Sequence, residues 1–241
     1  MDSLEFNKAG VLENGFTILD DIFTDGEVNS LVTIINNVQT DKPTFRKTDD
    51  LFAIRQFFKE LPAIVPHVFN QKLKEVITVL FGNDYFVVKS IYFDKPSLSN
   101  WFVAYHQDLT ISTDKKHLLY GFTNWTVKQN QYAVQPPVGI LEDNFTIRIH
   151  LDDTDENNGA LKVIAGSHKQ GVIAMKGFDY AAAKETTCTV KKGGIMVMKP
   201  LLLHASGRTV NNKQRRVIHV EFSKAELPEP LDWGEKAEID F

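Results

Sequence analysis

The chain has 241 residues, with 27 Lys+Arg against 31 Asp+Glu, a formal net charge of −4 and 43% hydrophobic residues. That balance excludes a disordered chain, a collagen-like repeat and a polybasic nucleic-acid binder. A single cysteine, Cys188, excludes an internal disulfide framework and a Cys-rich zinc site, and no apolar run reaches the ~18 residues of a membrane span. The opening MDSLEFNKAG lacks the basic-then-apolar pattern of a secretion signal. The expectation is a cytoplasmic protein with one domain over residues 1–241, a length that β barrels and sandwiches often reach as single units.

In chain order, Gly15-Phe-Thr-Ile-Leu19 reads as a short strand. Thr24-Asp-Gly-Glu27 follows as a capping box, and Val28, Leu31, Val32 and Ile35 recur behind it at helical spacing. A second helical stretch carries Val65, Val68, Phe69, Leu73, Val76, Ile77 and Leu80 on one face, entered through Pro62 and Pro66 and closed by Gly82. The helical preface therefore spans about 20–82.

From Tyr85 the pattern changes to short strands. Residues 85–93, 101–105, 145–151, 160–164, 187–190, 194–198 and 216–222 are β-rich, with turn clusters between them. Many short strands after a helical preface predict a mainly β fold, an antiparallel jelly roll or barrel over about 85–223 with helices on one outer face. A doubly wound α/β fold is the runner-up, but helices do not alternate with strands. Between about 112 and 144 lies a mixed stretch, long enough to suggest a lid or a flexible connector.

His106-Gln107-Asp108 ends an apparent strand, and side chains two apart on a strand share a face. An imidazole and a carboxylate so placed can reach one divalent metal. A distant second His completes a 2-His-1-carboxylate facial triad, which suits non-haem Fe(II) chemistry. The dipeptide signal is weak: seven His and 31 acidic residues in 241 positions give about one His-x-Asp/Glu match by composition alone. His219-Val-Glu221 is such a second match. Context must choose. His204 ends a β-like run, a polar Gly/Asn loop follows, and Arg215-Arg216 open the next strand. One reading returns Arg215 toward His204 as a bidentate fork for a carboxylate. The other makes the two arginines a solvated pair.

Three ordered blocks resolve the context. They are His106-Gln-Asp108 with the Leu-Thr-Ile after it, the run from Arg148 through Asn157-Asn158-Gly159 to Gly166-Ser-His168, and Pro200-Leu-Leu-Leu-His204-Ala-Ser. Together they resemble the phytanoyl-CoA dioxygenase family, over about residues 11–223. The resemblance implies a double-stranded β-helix, a jelly-roll, cupin-like core. It implies an Fe(II)- and 2-oxoglutarate-dependent dioxygenase that consumes O2, releases succinate and CO2, and hydroxylates a small-molecule C–H bond. Residue by residue it implies His106, Asp108 and His204 as iron ligands and Arg215 as partner of the distal 2-oxoglutarate carboxylate. Arg216 takes that role if the strand parity is opposite. Lys89 and Trp125 fall near positions that line the cosubstrate pocket in relatives, although Lys89 also reads as a surface residue. Relatives that halogenate replace the carboxylate by a small residue, so Asp108 implies hydroxylation. The alternative is a non-catalytic metal- or ligand-binding jelly roll that keeps the fold; the complete set His106, Asp108, His204 and Arg215 argues against it.

Other residues read more plainly. His168 is a turn residue with a loop hydrogen bond, and Asn157-Asn158-Gly159 is a tight turn needing positive φ. Cys188 belongs to the core. His67 and His117 belong to no constellation. Thr146, Arg148 and His150 share one strand face, facing either a cleft or solvent. His219 and Glu221 share the face of Arg215 and are candidates for groups behind the metal. No nucleic-acid or membrane partner is expected, and substrate identity and oligomeric state do not follow from the residues.

Overall fold

A computed structural model describes residues 3–38, 42, 44–49, 52–97, 99–128, 131–179 and 183–241. The chain opens with helix α1 (Ser3–Asn14) and strand β1 (Phe16–Leu19), then α2 (Asp25–Asn36). The capping box is present: Thr24 Oγ1 accepts from the Glu27 amide at 3.3 Å, and Glu27 Oε2 accepts from the Thr24 amide at 2.7 Å. Helix α1 escapes the sequence pattern because its apolar residues do not share a face; Phe6 and Leu12 are exposed. A hairpin, β2 (Phe45–Lys47) and β3 (Phe52–Arg55), is a further addition to the expected elements. Strands of three or four residues are too short to show an alternation.

The expected second helix is broken in two. Helix α3 (Phe57–Glu60) and a 3-10 turn (Pro62–Ile64) lead into α4 (Val65–Val68), which stops at Phe69 with ψ 61°. Asn70 then caps α5 (Gln71–Phe81) from an extended backbone, its Oδ1 accepting from the Leu73 amide at 2.9 Å. The same Asn70 amide group donates to Glu27 Oε1 and the Ile22 carbonyl, both at 3.0 Å, tying the helices together. Gly82, at φ 92°, closes α5 as expected.

The core strands are β4 (Phe86–Lys95), β5 (Val103–His106), β6 (Ile111–Thr113), β7 (Thr123–Lys128) and β8 (Gln131–Gln135). After helix α6 (Val138–Asp143) come β9 (Phe145–His150), β10 (Leu161–Ile164), β11 (Glu185–Cys188), β12 (Ile195–Met198), β13 (His204–Ser206) and β14 (Arg215–Ser223). They form an antiparallel seven-stranded sheet, β1-β12-β9-β14-β4-β3-β2, facing an antiparallel four-stranded sheet, β11-β10-β13-β5. This is the expected mainly β jelly roll with helices on one outer face.

Period-two alternation splits the large sheet into two faces. Ile147, Ile149, Ile218, Val220 and Phe222 pack against the helices in the largest apolar cluster. Phe145 stacks between Phe81 at 3.6 Å and Phe222 at 4.6 Å between centroids. Burying each such ring is worth roughly 2–3 kcal/mol. The opposite face carries Arg148 on β9, Arg215, His219 and Glu221 on β14, and Lys89 on β4, all lining a cavity between the two sheets.

Two stretches carry more structure than their residue patterns show. The 112–144 stretch is not an unstructured connector: β6, β8 and β7 form their own sheet, and α6 follows. Phe122, Val134 and Leu141 bury against Phe86, Val88 and Leu201; positions 129 and 130 lie outside the described residues. The core also extends past 223. Leu231 and Trp233 join that cluster, and Ala237 pairs with Val87 through backbone bonds of 2.9 and 3.0 Å. Among the described residues no helix is long and apolar enough to cross a membrane.

Candidate active site

Antiparallel pairing of β5 with β13 places His106 directly opposite His204. Their rings lie 4.2 Å apart between centroids. Asp108 lies two residues past the end of β5, where its amide donates to the Pro200 carbonyl at 2.9 Å. The loop is held by the residue between the two candidate ligands. Gln107 donates to the Leu201 carbonyl at 2.6 Å and the Gly171 carbonyl at 2.8 Å, and accepts from the Ile173 amide at 2.8 Å. His106, Asp108 and His204 thereby offer three ligand atoms within 4.8 Å of one another.

The tautomers follow from the hydrogen bonds. His106 Nδ1 lies 2.9 Å from the Ala104 carbonyl and His204 Nδ1 lies 2.8 Å from the Leu202 carbonyl. A carbonyl only accepts, so each Nδ1 carries a proton, and in the neutral ring this leaves Nε2 as the nitrogen with the lone pair a metal needs. Both Nε2 atoms stand 3.8 Å from an Asp108 oxygen, too far for a hydrogen bond. Burial, opposed by Asp108, pushes the His204 imidazole down to about 4. Burial also works to raise Asp108, but the charges of His204, His219, Lys89 and His106 outweigh it and hold the carboxyl down to about 2. Two histidine nitrogens and one carboxylate make a donor set that fits a ferrous ion with three positions left open.

Arg215 and Arg216 part company at the start of β14. Arg216 turns away from the cavity and grips Asp152, Nε to Oδ2 at 2.8 Å and Nη2 to Oδ1 at 2.6 Å. Arg215 is 3% exposed and lines the cavity. Its Nε and Nη1 have no hydrogen-bond partner among the described residues. Burial pushes its guanidinium down to about 9, with Arg148 adding to the effect, so it stays charged near neutrality. A buried donor left unpaired costs about 1–3 kcal/mol, more when charged, so this position fits the carboxylate of a bound dicarboxylate.

A polar chain crosses the sheet beside the triad. Arg148 Nη1 donates to His219 Nδ1 at 3.1 Å, which leaves the His219 Nε2 proton for Glu221 Oε1 at 3.0 Å. Lys89 Nζ donates to the same carboxylate at 2.8 Å. Burial opposes the charge on Lys89, but Glu221 and Asp108 raise its pKa above the ordinary value. His219 and Glu221 thus form no second metal site; they sit beside the cavity, as the shared face with Arg215 predicts.

Of the candidate residues, the fold brings together His106, Asp108, His204, Arg215 and Lys89 around one cavity of about 240 Å³. Trp125 is not among them. It sits on β7 and packs against the apolar cluster of Phe122, Val134 and Leu141. Arg148 faces the cleft, while His150 is buried with Nδ1 2.8 Å from Thr154 Oγ1. His168 places Nε2 3.2 Å from the Leu12 carbonyl, the expected loop role, and Cys188 is buried. The residue pattern does not mark Gln107, Arg46 or Arg55 as site residues: Gln107 is the middle of a motif whose signal lies in its flanks, and the two arginines belong to a hairpin too short to read.

The fold and these residues define a class: a jelly-roll protein with a 2-His-1-carboxylate cluster and a buried guanidinium in the same cavity. The sequence signature of phytanoyl-CoA dioxygenase (PhyH) matches residues 11–217, and the chain belongs to that family of Fe(II)- and 2-oxoglutarate-dependent dioxygenases. Among solved structures, apo EctD from S. alaskensis is 18% identical with a TM-score of 0.70, covering 92% of this chain and 78% of its own. The α-ketoglutarate-dependent epimerase SnoN from nogalamycin biosynthesis, in complex with Fe3+, α-ketoglutarate and nogalamycin RO, is 12% identical with a TM-score of 0.69, covering 92% and 83%. AviO1 from Streptomyces viridochromogenes Tue57 is 15% identical with a TM-score of 0.65, covering 93% and 96%. These likenesses concern the fold. No curated protein matches the chain.

Proposed function

We propose that the protein hydroxylates a C–H bond of a small molecule, with His106, Asp108 and His204 as the iron ligands. The observation that carries this reading is the convergence of two histidines, each donating Nδ1–H to a carbonyl, and a carboxylate whose ligand atoms lie within 4.8 Å of one another. Bound iron supplies the redox chemistry: O2 and 2-oxoglutarate are consumed, succinate and CO2 leave, and one oxygen atom enters the substrate.

The chain's own residues orient and insulate that chemistry. The Ala104 and Leu202 carbonyls fix the two imidazole rings, and Gln107 fixes the loop bearing Asp108. Arg215 receives the distal carboxylate of 2-oxoglutarate from the floor of the cavity, and Arg216 is spent on Asp152. Lys89, neutralised by Glu221, contributes to the wall rather than a second free cation for the cosubstrate. With Asp108 as a ligand, the coordination place a halide would need would be filled, which favours hydroxylation.

The test is anaerobic visible absorption while Fe(II) and then 2-oxoglutarate are added to metal-free protein. A charge-transfer band that needs both additions, and is lost in His106→Ala, is the expected result. Tight metal binding without any such band would overturn the reading and favour a non-catalytic metal-binding protein.

A further inference from the structure

The cavity holds more positive charge than its cofactors use. Five of its lining residues are permanent cations, Arg46, Arg55, Lys89, Arg148 and Arg215, against two carboxylates, Asp108 and Glu221. Lys89 pairs with Glu221, while Arg148 donates to His219 Nδ1 and keeps its charge, its Nε without a hydrogen-bond partner among the described residues. On the reading above, Asp108 serves the metal and Arg215 the cosubstrate. A ferrous ion and a 2-oxoglutarate dianion cancel each other, so loading the site leaves the excess in place.

Two of the surplus charges sit on the β2–β3 hairpin. Pairing sets Arg46 opposite Ala53, so Arg46, Ala53 and Arg55 share the cavity face while Phe45 and Ile54 anchor the hairpin in the core behind. Neither guanidinium makes an ion pair or side-chain hydrogen bond among the described residues. Burial, with the charge of Arg46 added, lowers the Arg55 pKa. Arg55 is half-buried and Arg46 beside it is exposed, and an anion held between two such like charges relieves their repulsion. The same cavity is also lined by the apolar side chains Ile91, Phe93, Trp101 and Val103. An adjoining cavity of about 480 Å³ shares Arg55, Lys89 and Ile91, so a larger ligand has room to continue.

Resting on the dioxygenase reading, we propose that Arg46 and Arg55 bind a carboxylate or phosphate group of the substrate, and that an aliphatic segment runs from this anion past Ile91 and Phe93 to the metal. The substrate class is an amphipathic organic anion. The anion fixes which carbon reaches the iron, so the hairpin acts as a ruler as well as a clamp.

The test uses hexanoate and hexyl phosphate as probes, with hexan-1-ol as the uncharged control, on anaerobic protein loaded with Fe(II) and 2-oxoglutarate. Binding is read by calorimetry and by the fluorescence of Trp101, which lines the cavity. At least one anion binds, the alcohol binds tenfold or more weakly, and Arg55→Gln or Arg46→Gln loses about tenfold, the weight of a charge-assisted hydrogen bond. Arg55→Lys restores part of the affinity. Preference between the two anions identifies the head group. Unfolding temperature and 2-oxoglutarate affinity stay at wild-type values in these variants, separating lost binding from lost fold. Equal binding of hexan-1-ol, no binding of either anion, or undiminished binding to the Arg46→Gln/Arg55→Gln double variant would overturn the proposal. So would anion binding that survives in that double variant and vanishes in Arg215→Gln, since the probe would then occupy the cosubstrate position. Protein that binds the anions through the hairpin but takes up no 2-oxoglutarate would sink the dioxygenase reading and leave the anion site standing.

Discussion

Arg215 and Arg216 are sequence neighbours with opposite fates: one is buried in the cavity with unpaired Nε and Nη1, the other is locked on Asp152 at 2.6 and 2.8 Å. The alternation of a β-strand makes this split obligatory. Arg215→Gln is expected to weaken 2-oxoglutarate binding by about a hundredfold or more, because one member of a desolvated charge pair is removed. Arg216→Gln should leave that affinity unchanged and cost about 1–2 kcal/mol of stability through the lost bidentate pair. Calorimetric titration with 2-oxoglutarate and thermal unfolding of both variants check the assignment; the reverse pattern would exchange the two roles.

Removing a metal ligand should be more drastic than removing the anchor. Asp108→Ala and His204→Ala are each expected to abolish Fe(II)-dependent succinate formation, while the wild type turns over. Full turnover in either variant would refute the ligand set.

Gln107 tests whether the loop matters apart from its ligands. Its three hydrogen bonds hold the backbone between His106 and Asp108. Gln107→Leu keeps the volume and removes the bonds, and we expect Fe(II) affinity to fall by roughly 10–100-fold, as for groups that orient ligands. Competition against a metallochromic chelator measures this directly. Unchanged affinity would mean that strand pairing alone positions the loop.

Stability without metal should depend on pH through His204. Its folded pKa lies near 4, below the ordinary 6.5, so the unfolded chain binds the extra proton first as pH falls. The stability is therefore fully present above about pH 6.5 and is lost progressively down to about pH 4, a loss of about 3 kcal/mol from this group. His150, pushed far down chiefly by burial, acts in the same direction. Urea unfolding of metal-free protein at stepped pH reads the slope, and His204→Gln should flatten it.

Gly159 marks a tighter constraint than a turn alone. At φ 88° it occupies a left-handed conformation, and an added Cβ would fall 2.8 Å from the Gly207 carbonyl oxygen and 2.7 Å from Lys95 Nζ. Gly159→Ala is expected to destabilise the fold by about 1–3 kcal/mol. An unfolding temperature equal to wild type would show that the β13 loop yields freely.

What was legible in the chain was whatever obeys local rules. The Thr24–Glu27 capping box, the Gly82 helix end and the strands around Phe145, Ile195 and Arg215 follow from short-range hydrogen bonding and period-two burial, and the structure places them where the residues put them. The three motif blocks likewise carry His106, Asp108 and His204 into one cluster. The break at Phe69, by contrast, lies inside an unbroken apolar periodicity, because Asn70 caps a new helix only when Glu27 and Ile22 arrive from 43 and 48 residues away. The family resemblance implies a pocket position for Trp125, and the third sheet packs it against another apolar cluster. The Arg46–Arg55 hairpin and the Gln107 bonds also depend on partners distant in the chain. Local patterns encode backbone propensity and strand parity; which buried charges meet and which remain unpaired is decided only when the two sheets close on each other.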